Sequence, residues 1–170
     1  MADSKQWPAA AAGSPWISLL LSLGVTFVAA AIGAVASAEA RGFYGTLAKP
    51  AWAPSPGIFG PVWTVLYLLM AVAAWLVWRR GGPRAARVPL VFYLVQLALN
   101  ALWTWLFFRW RLGGWALLEI VILWVVLLVT VIRFWRVRAV AGALLLPYWA
   151  WVTFATALTA ATWQRNPGLL

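Results

Sequence analysis

Residues 15–38 read PWISLLLSLGVTFVAAAIGAVASA, a run without one charged side chain. A helix rises about 1.5 Å per residue and a hydrocarbon core is about 30 Å thick, so roughly 20 apolar residues in helical form suffice to cross it. The run ends in Ala36-Ser37-Ala38, which looks like a signal-peptidase site. Its apolar stretch nevertheless exceeds the ~7–15 residues of a signal-peptide core, so it is read as an uncleaved first span. Ala29, Gly33 and Ser37 recur every fourth residue and put small side chains on one face, where a second helix can approach closely.

Four more runs of the same kind follow, at 58–78, 88–108, 114–132 and 139–163. The expected fold is an all-α integral membrane protein, a bundle of five transmembrane helices over 15–166. An N-terminal tail, 1–14, and a C-terminal tail, 167–170, flank it. Composition points the same way. Of 170 residues, 65% are hydrophobic and 9% charged, against about 25% charged in a soluble domain. Most of such a surface must face lipid.

The connections are short except for 39–57. That segment holds Pro50, Pro54 and Pro56 with Gly42, Gly45 and Gly57, so it cannot continue a helix. It also carries Phe43, Tyr44 and Trp52. A structured first loop, folded over one end of the bundle, is therefore expected.

The net charge of +10 could mark a nucleic-acid binder, but the basic residues sit between the apolar runs, at Arg79, Arg80, Arg84, Arg87, then Arg109 and Arg111, then Arg133, Arg136 and Arg138. This is a topology pattern, and nucleic acid is not an expected partner. The N-terminal tail and the second and fourth loops hold eight Lys and Arg; the other connections and the C-terminus hold five. The positive-inside rule then places the N-terminus in the cytoplasm, and several long apolar helices suit a bacterial inner membrane.

Cysteine and histidine are both absent. Disulfides are impossible, and zinc, copper and iron–sulfur sites lose their usual ligands, so no metal site is expected. Serine–histidine and cysteine–histidine nucleophiles are equally impossible. Only Asp3, Glu39 and Glu119 are acidic, which leaves no obvious carboxylate pair for acid–base work. Glu119 stands well inside a span and is a candidate functional group on that ground, though no second titratable residue completes a relay.

Tryptophan occurs 15 times. Trp7, Trp16, Trp78, Trp110, Trp135 and Trp163 fall near span ends, as interfacial belts require. Trp63, Trp103, Trp149 and Trp151 lie inside spans, where flat rings can line a cavity. Helical spacing groups Tyr93, Gln96, Asn100 and Trp103 on the third span, Tyr148, Trp151, Ala155 and Leu158 on the fifth, and Trp63 with Tyr67 on the second. Gln96 and Asn100 should face the bundle interior, either bonding between helices or lining a ligand site.

Several of these residues fall in motifs. Lys49-Pro50-Ala51-Trp52-Ala53-Pro54-Ser55-Pro56, followed by Pro61-Val62-Trp63 and Tyr67, resembles the first-loop and second-helix signature of the translocator protein family (TspO/MBR), or tryptophan-rich sensory proteins. Gln96-Leu97-Ala98-Leu99-Asn100 with Trp103 and Phe107-Phe108 is similar to its third-helix motif, and Gly114-Trp115-Ala116-Leu117 with Glu119 to its fourth. Pro147-Tyr148 through Trp151, Phe154-Ala155-Thr156 and Leu158 resembles its fifth.

The resemblance implies a homodimeric five-helix bundle with a pocket beneath the first loop for porphyrins, haem and related lipophilic aromatic ligands, held among membrane lipids. By motif position the ligand-binding residues would be Tyr44, Trp52, Trp63, Tyr67, Asn100, Trp103, Trp115, Trp151, Ala155 and Leu158. The sterol motif of animal relatives carries a tyrosine that Leu158-Thr159-Ala160-Ala161-Thr162-Trp163-Gln164-Arg165 lacks, which weakens the case for cholesterol. Ala98 and Ala101 are three apart, so the small-residue spacing of some bacterial dimer contacts is missing as well.

Three functions follow from this reading. The first is a tetrapyrrole-binding sensor or transporter that needs no cofactor and takes porphyrin or haem as ligand. The second, an activity attributed to some bacterial relatives, is light-dependent porphyrin breakdown with Trp63 and Trp151 as redox partners. The third is a structural or partner-binding membrane protein without a natural small ligand.

Overall fold

The computed structural model describes residues 14–170; the tail residues Asp3, Lys5 and Trp7 lie outside them. All regular structure among the described residues is helical. The helices are α1 (Pro15–Ala36), α2 (Ala40–Thr46), α3 (Pro56–Thr104), α4 (Gly113–Val137), α5 (Ala139–Ala143) and α6 (Leu146–Arg165), with a π-helical turn at Trp105–Arg109. Proline opens α1, α3 and α6, where its missing N–H costs nothing.

Four helical stretches are long and apolar enough to cross a membrane, and one of them, Pro56–Arg109, has 54 residues. Straight, it would reach about 80 Å, more than twice a hydrocarbon core. It is instead folded back at Gly82, whose φ of 59° and ψ of −174° lie in a region open essentially to glycine alone. A Cβ on Gly81 would stand 3.0 Å from the Ala86 nitrogen, so Gly81 is required by close approach and Gly82 by its backbone conformation. The arms 56–81 and 83–104 run antiparallel: Asn100 donates to the Tyr67 hydroxyl at 2.8 Å and Gln96 to the Met70 sulfur at 3.9 Å, each pair nearly equidistant from the hinge. Counted separately, the arms bring the crossings to five. The short connection expected between the spans 58–78 and 88–108 is this glycine kink.

α1 packs antiparallel to the first arm, with Ser22 Oγ donating to the Ala71 carbonyl at 2.6 Å and Trp75 Nε1 to the Pro15 carbonyl at 3.1 Å. Against the second arm it runs parallel, and the Thr26 and Tyr93 hydroxyls share a hydrogen bond of 2.6 Å. A Cβ on Gly33 would lie 3.4 Å from Thr104 Oγ1, so the small-residue face does serve close approach. Tyr93 stacks on Phe134 of α4 at 5.8 Å. Trp124 of α4 donates to Thr153 Oγ1 of α6 at 2.8 Å and lies 5.0 Å from the Trp149 ring. The last crossing is interrupted between α5 and α6, where Pro147 has no N–H to return to residue 143.

Leu66, Met70, Leu97, Ile120, Leu123, Leu127, Phe134, Tyr148 and Val152 fill the core. Leu20, Leu21 and Val28 on α1, Leu94 on α3, and Ile122 and Val125 on α4 are exposed, as a lipid-facing surface requires. Trp16, Trp78, Trp110 and Trp135 are exposed at the ends of the crossings, where amphipathic indoles favour the interface.

The first loop is ordered and packed. Phe43 and Tyr44 of α2 are buried against Phe107 and Ala116. Lys49 Nζ donates to the carbonyls of Tyr44 at 2.6 Å and Leu47 at 2.9 Å, satisfying the open end of α2. Asn166, just past α6, holds the Ala48 backbone from the other side.

Candidate functional site

Beneath this loop lies a cavity of about 390 Å³, within the roughly 300–1,000 Å³ of small-molecule sites. Four elements and the loop enclose it. α1 presents Phe27, Ala30, Gly33 and Ala34, Ser37 follows at its C-cap, and the loop presents Arg41 and Tyr44. The first arm of α3 adds Phe59, Trp63, Thr64 and Tyr67 at helical spacing, and α6 adds Trp151, Phe154, Ala155, Leu158 and Thr159. The second arm contributes Trp103 and Thr104 and passes into the π-helical turn, from which both Phe107 and Phe108 reach the cavity. Such wide turns recur at functional sites because they re-aim successive side chains.

The aromatic walls brace one another. Trp103 is stacked on Phe107 at 5.4 Å and meets Phe108 edge-on at 5.8 Å. Phe59 touches Trp151 at 6.0 Å and Tyr44 at 5.5 Å, both edge-on. Trp63 lies 5.5 Å from Tyr67 and 6.0 Å from Tyr148. Rings fixed by neighbouring rings offer flat surfaces that need little reordering when a ligand arrives.

The cavity's hydroxyls are largely committed elsewhere. Tyr44 donates to the Pro54 carbonyl at 3.3 Å, and Tyr67 accepts from Asn100. Ser37, Thr64 and Thr104 each donate to the carbonyl four residues earlier. Burial also raises the Tyr44 phenol above its ordinary range, keeping it a neutral donor.

Of the ten residues assigned by motif position, Tyr44, Trp63, Tyr67, Trp103, Trp151, Ala155 and Leu158 line this cavity. Asn100 stands behind it, buried, orienting the Tyr67 hydroxyl. Trp52 and Trp115 do not line it. Trp52 is 51% exposed and packs edge-on, at 5.7 Å, against Phe154 of the cavity wall. Trp115 is 64% exposed and shares the outward stripe of Leu118, Ile122 and Val125; no α4 residue lines the cavity. Glu119 is buried on α4, with no hydrogen-bond partner for either oxygen among the described residues, and it lies outside the cavity wall. Tyr148 and Trp149 also turn away, toward the core and toward Trp124.

The TspO/MBR family model matches residues 18–164, nearly the whole bundle. The chain belongs to the TspO/MBR family. It is similar to the translocator protein of Homo sapiens, 39% identical over 132 residues covering 76% of this chain and 78% of that one. Protein CrtK of Rhodobacter capsulatus is 39% identical over 142 residues, 82% and 87% of the two chains. The tryptophan-rich protein TspO of Chlorobaculum tepidum is 35% identical over 153 residues, 89% and 97%. This TspO/MBR chain is therefore a multi-pass membrane protein, as its four long apolar stretches require.

Sequence reasoning missed the contribution of α1 to the cavity, and with it Phe27, Ala30 and Ala34. The signal was present: Gly33 and Ser37 were read as a close-packing face, and the same lack of bulk leaves space beside it. Phe59 was missed because it precedes Trp63 by one turn without belonging to any motif read for function.

Proposed function

We propose that this TspO/MBR protein binds tetrapyrroles, porphyrin or haem, in the cavity beneath its first loop and acts as a sensor or transporter for them. The observation that carries this reading is a pre-formed space whose walls are Trp63, Trp103, Trp151, Phe59 and Phe107, with Ala155 leaving room beside Trp151. Flat aromatic walls suit a flat macrocycle. The resemblance of the loop and helix motifs supports the same ligand class, and an open cavity argues against a purely structural protein filled by its own side chains.

Axial ligation of haem iron has no good donor here. Histidine and cysteine are absent, the Tyr44 and Tyr67 hydroxyls are already engaged, and Met70 is fully buried against Gln96. Metal-free protoporphyrin should thus bind about as well as haem. Titration by tryptophan fluorescence quenching in detergent tests both statements: saturable quenching by both ligands with similar affinity is expected, and no saturable quenching by either sinks the proposal.

Trp63 and Trp151 line one cavity, which favours light-dependent porphyrin breakdown as the second reading. Porphyrin loss under light that persists unchanged in Trp63→Phe plus Trp151→Phe would remove it.

For topology we propose a cytoplasmic N-terminus in a bacterial inner membrane. Arg79, Arg80, Arg84, Arg87, Arg133, Arg136 and Arg138 gather at the hinge end, against Arg41, Lys49, Arg109, Arg111 and Arg165 at the loop end. A homodimer is proposed on the resemblance alone; cross-linking in membranes tests it.

A further inference from the structure

The cavity wall is aromatic and apolar apart from a few hydroxyls and one charge. Arg41, in the first turn of α2, is the charged side chain among the described residues that line it. Of the four other cations at this end, Arg109 lines no part of the cavity and the remaining three are otherwise occupied. Lys49 is bonded to two carbonyls, Arg111 lies 4.6 Å over the Phe43 ring, and Arg165 donates to the Ala161 carbonyl at 2.8 Å. Arg41 has no hydrogen bond and no ion pair among the described residues, although Glu39, the acid at this end of the bundle, is two residues away.

We infer that Arg41 is a specificity determinant, selecting flat aromatic ligands that carry a carboxylate on the edge facing the first loop. This inference rests on the tetrapyrrole reading and sharpens it. The hydroxyls of Tyr44, Ser37, Thr64 and Thr104 are spent on backbone carbonyls, which leaves Tyr67, whose oxygen accepts from Asn100, and Thr159 as the neutral donors beside the one cation. A guanidinium presents a planar fork of donors that matches a carboxylate with two parallel bonds. A macrocycle seated among Trp63, Trp103 and Trp151 would bury its apolar face and leave an acidic edge at the loop. A neutral ligand of the same shape would gain the stacking but leave Arg41 unanswered.

The test compares protoporphyrin IX with its dimethyl ester, which keeps the ring and removes both charges. Each is titrated by tryptophan quenching against the full-length parent, Arg41→Gln and Arg41→Lys in a neutral detergent. Partition of the ester into micelles is common to all three proteins, so the readout is the acid-to-ester affinity ratio of each variant relative to the parent. Arg41→Gln should lower that ratio by roughly three- to fivefold, because an exposed ion pair is worth up to about 1 kcal/mol. Arg41→Lys should retain part of the preference, and added salt should shrink it in the parent and in Arg41→Lys but not in Arg41→Gln. An unchanged ratio in Arg41→Gln, with tight binding of both porphyrins, overturns the role of Arg41 and leaves the tetrapyrrole site standing. Failure of the parent to bind either porphyrin overturns both.

Discussion

The Asn166 carboxamide holds the Ala48 backbone by both its groups: Oδ1 accepts from the Ala48 N–H at 2.9 Å and Nδ2 donates to the Ala48 carbonyl at 2.9 Å. The same Nδ2 also donates to the Thr162 carbonyl at 2.7 Å. One side chain thus ties the first loop to the end of α6, two walls of the same cavity.

Replacing Asn166 by Ala should remove both bonds to Ala48, which is exposed so that water takes up its freed groups, at a cost of about 0.5–1.5 kcal/mol per bond. The loosening should be local. Hydrogen exchange over residues 40–56 should quicken while α3 and α4 keep their protection; unchanged exchange in the loop would refute the latch.

Trp151→Ala should weaken porphyrin binding by about 2–4 kcal/mol, the range of buried aromatic truncations at binding sites. Ala155→Leu should block the site by filling the space beside Trp151, with little effect on folding because it adds only apolar volume next to a cavity. Both variants would be checked for helicity in nanodiscs before titration. If both bind porphyrin like the parent, the ligand does not sit in this cavity.

Trp163, expected at the membrane interface, lies over Gly114 at the start of α4, where a Cβ would meet its ring at 3.2 Å. Trp163→Ala should therefore cost under about 1 kcal/mol of porphyrin binding but lower stability, toward the lower end of the ~3–5 kcal/mol of large aromatic truncations because the ring is only partly buried. Thermal unfolding and quenching on the same preparation separate the two effects. A loss of affinity larger than the loss of stability would contradict this assignment.

Glu119→Met replaces a buried carboxyl that has no partner among the described residues with an apolar chain of similar length. Stability should rise by roughly 1 kcal/mol or more, since an unsatisfied buried polar group costs about 1–3 kcal/mol. Porphyrin affinity should stay at the parental value, because α4 lines no part of the cavity. A lower melting temperature would show that Glu119 has a partner when the protein sits in its membrane.

Hydropathy made the crossings legible because lipid imposes one demand on every residue of a span, and the loop was legible because proline and glycine exclude helix while Phe43, Tyr44 and Trp52 ask for burial. The cavity was partly legible through helical stripes: Trp63 with Tyr67, and Trp151 with Ala155 and Leu158, stay together however the helices are rotated. Rotation itself was the hidden quantity. Trp115 was assigned by motif position, although its stripe continues through Leu118, Ile122 and Val125, all apolar, which is what a lipid-facing face looks like. Asn100 was open between bonding and lining, and its bond to Tyr67 decides for the first. The π-helical turn left no mark in the sequence, since it depends on how Trp105–Arg109 settles above the bundle.

Under the sensor function proposed above, the absence of α4 from the cavity wall has a consequence for signalling. An occupant would press on α1, both arms of α3, α6 and the loop, while the helix with the outward stripe of Trp115, Leu118, Ile122 and Val125 feels none of it directly. News of occupancy would therefore leave the molecule at its watery end, as a change in how firmly Asn166 grips the loop. A partner that reads this protein from the aqueous side could tell full from empty; one resting against α4 within the bilayer would meet the same face in either state.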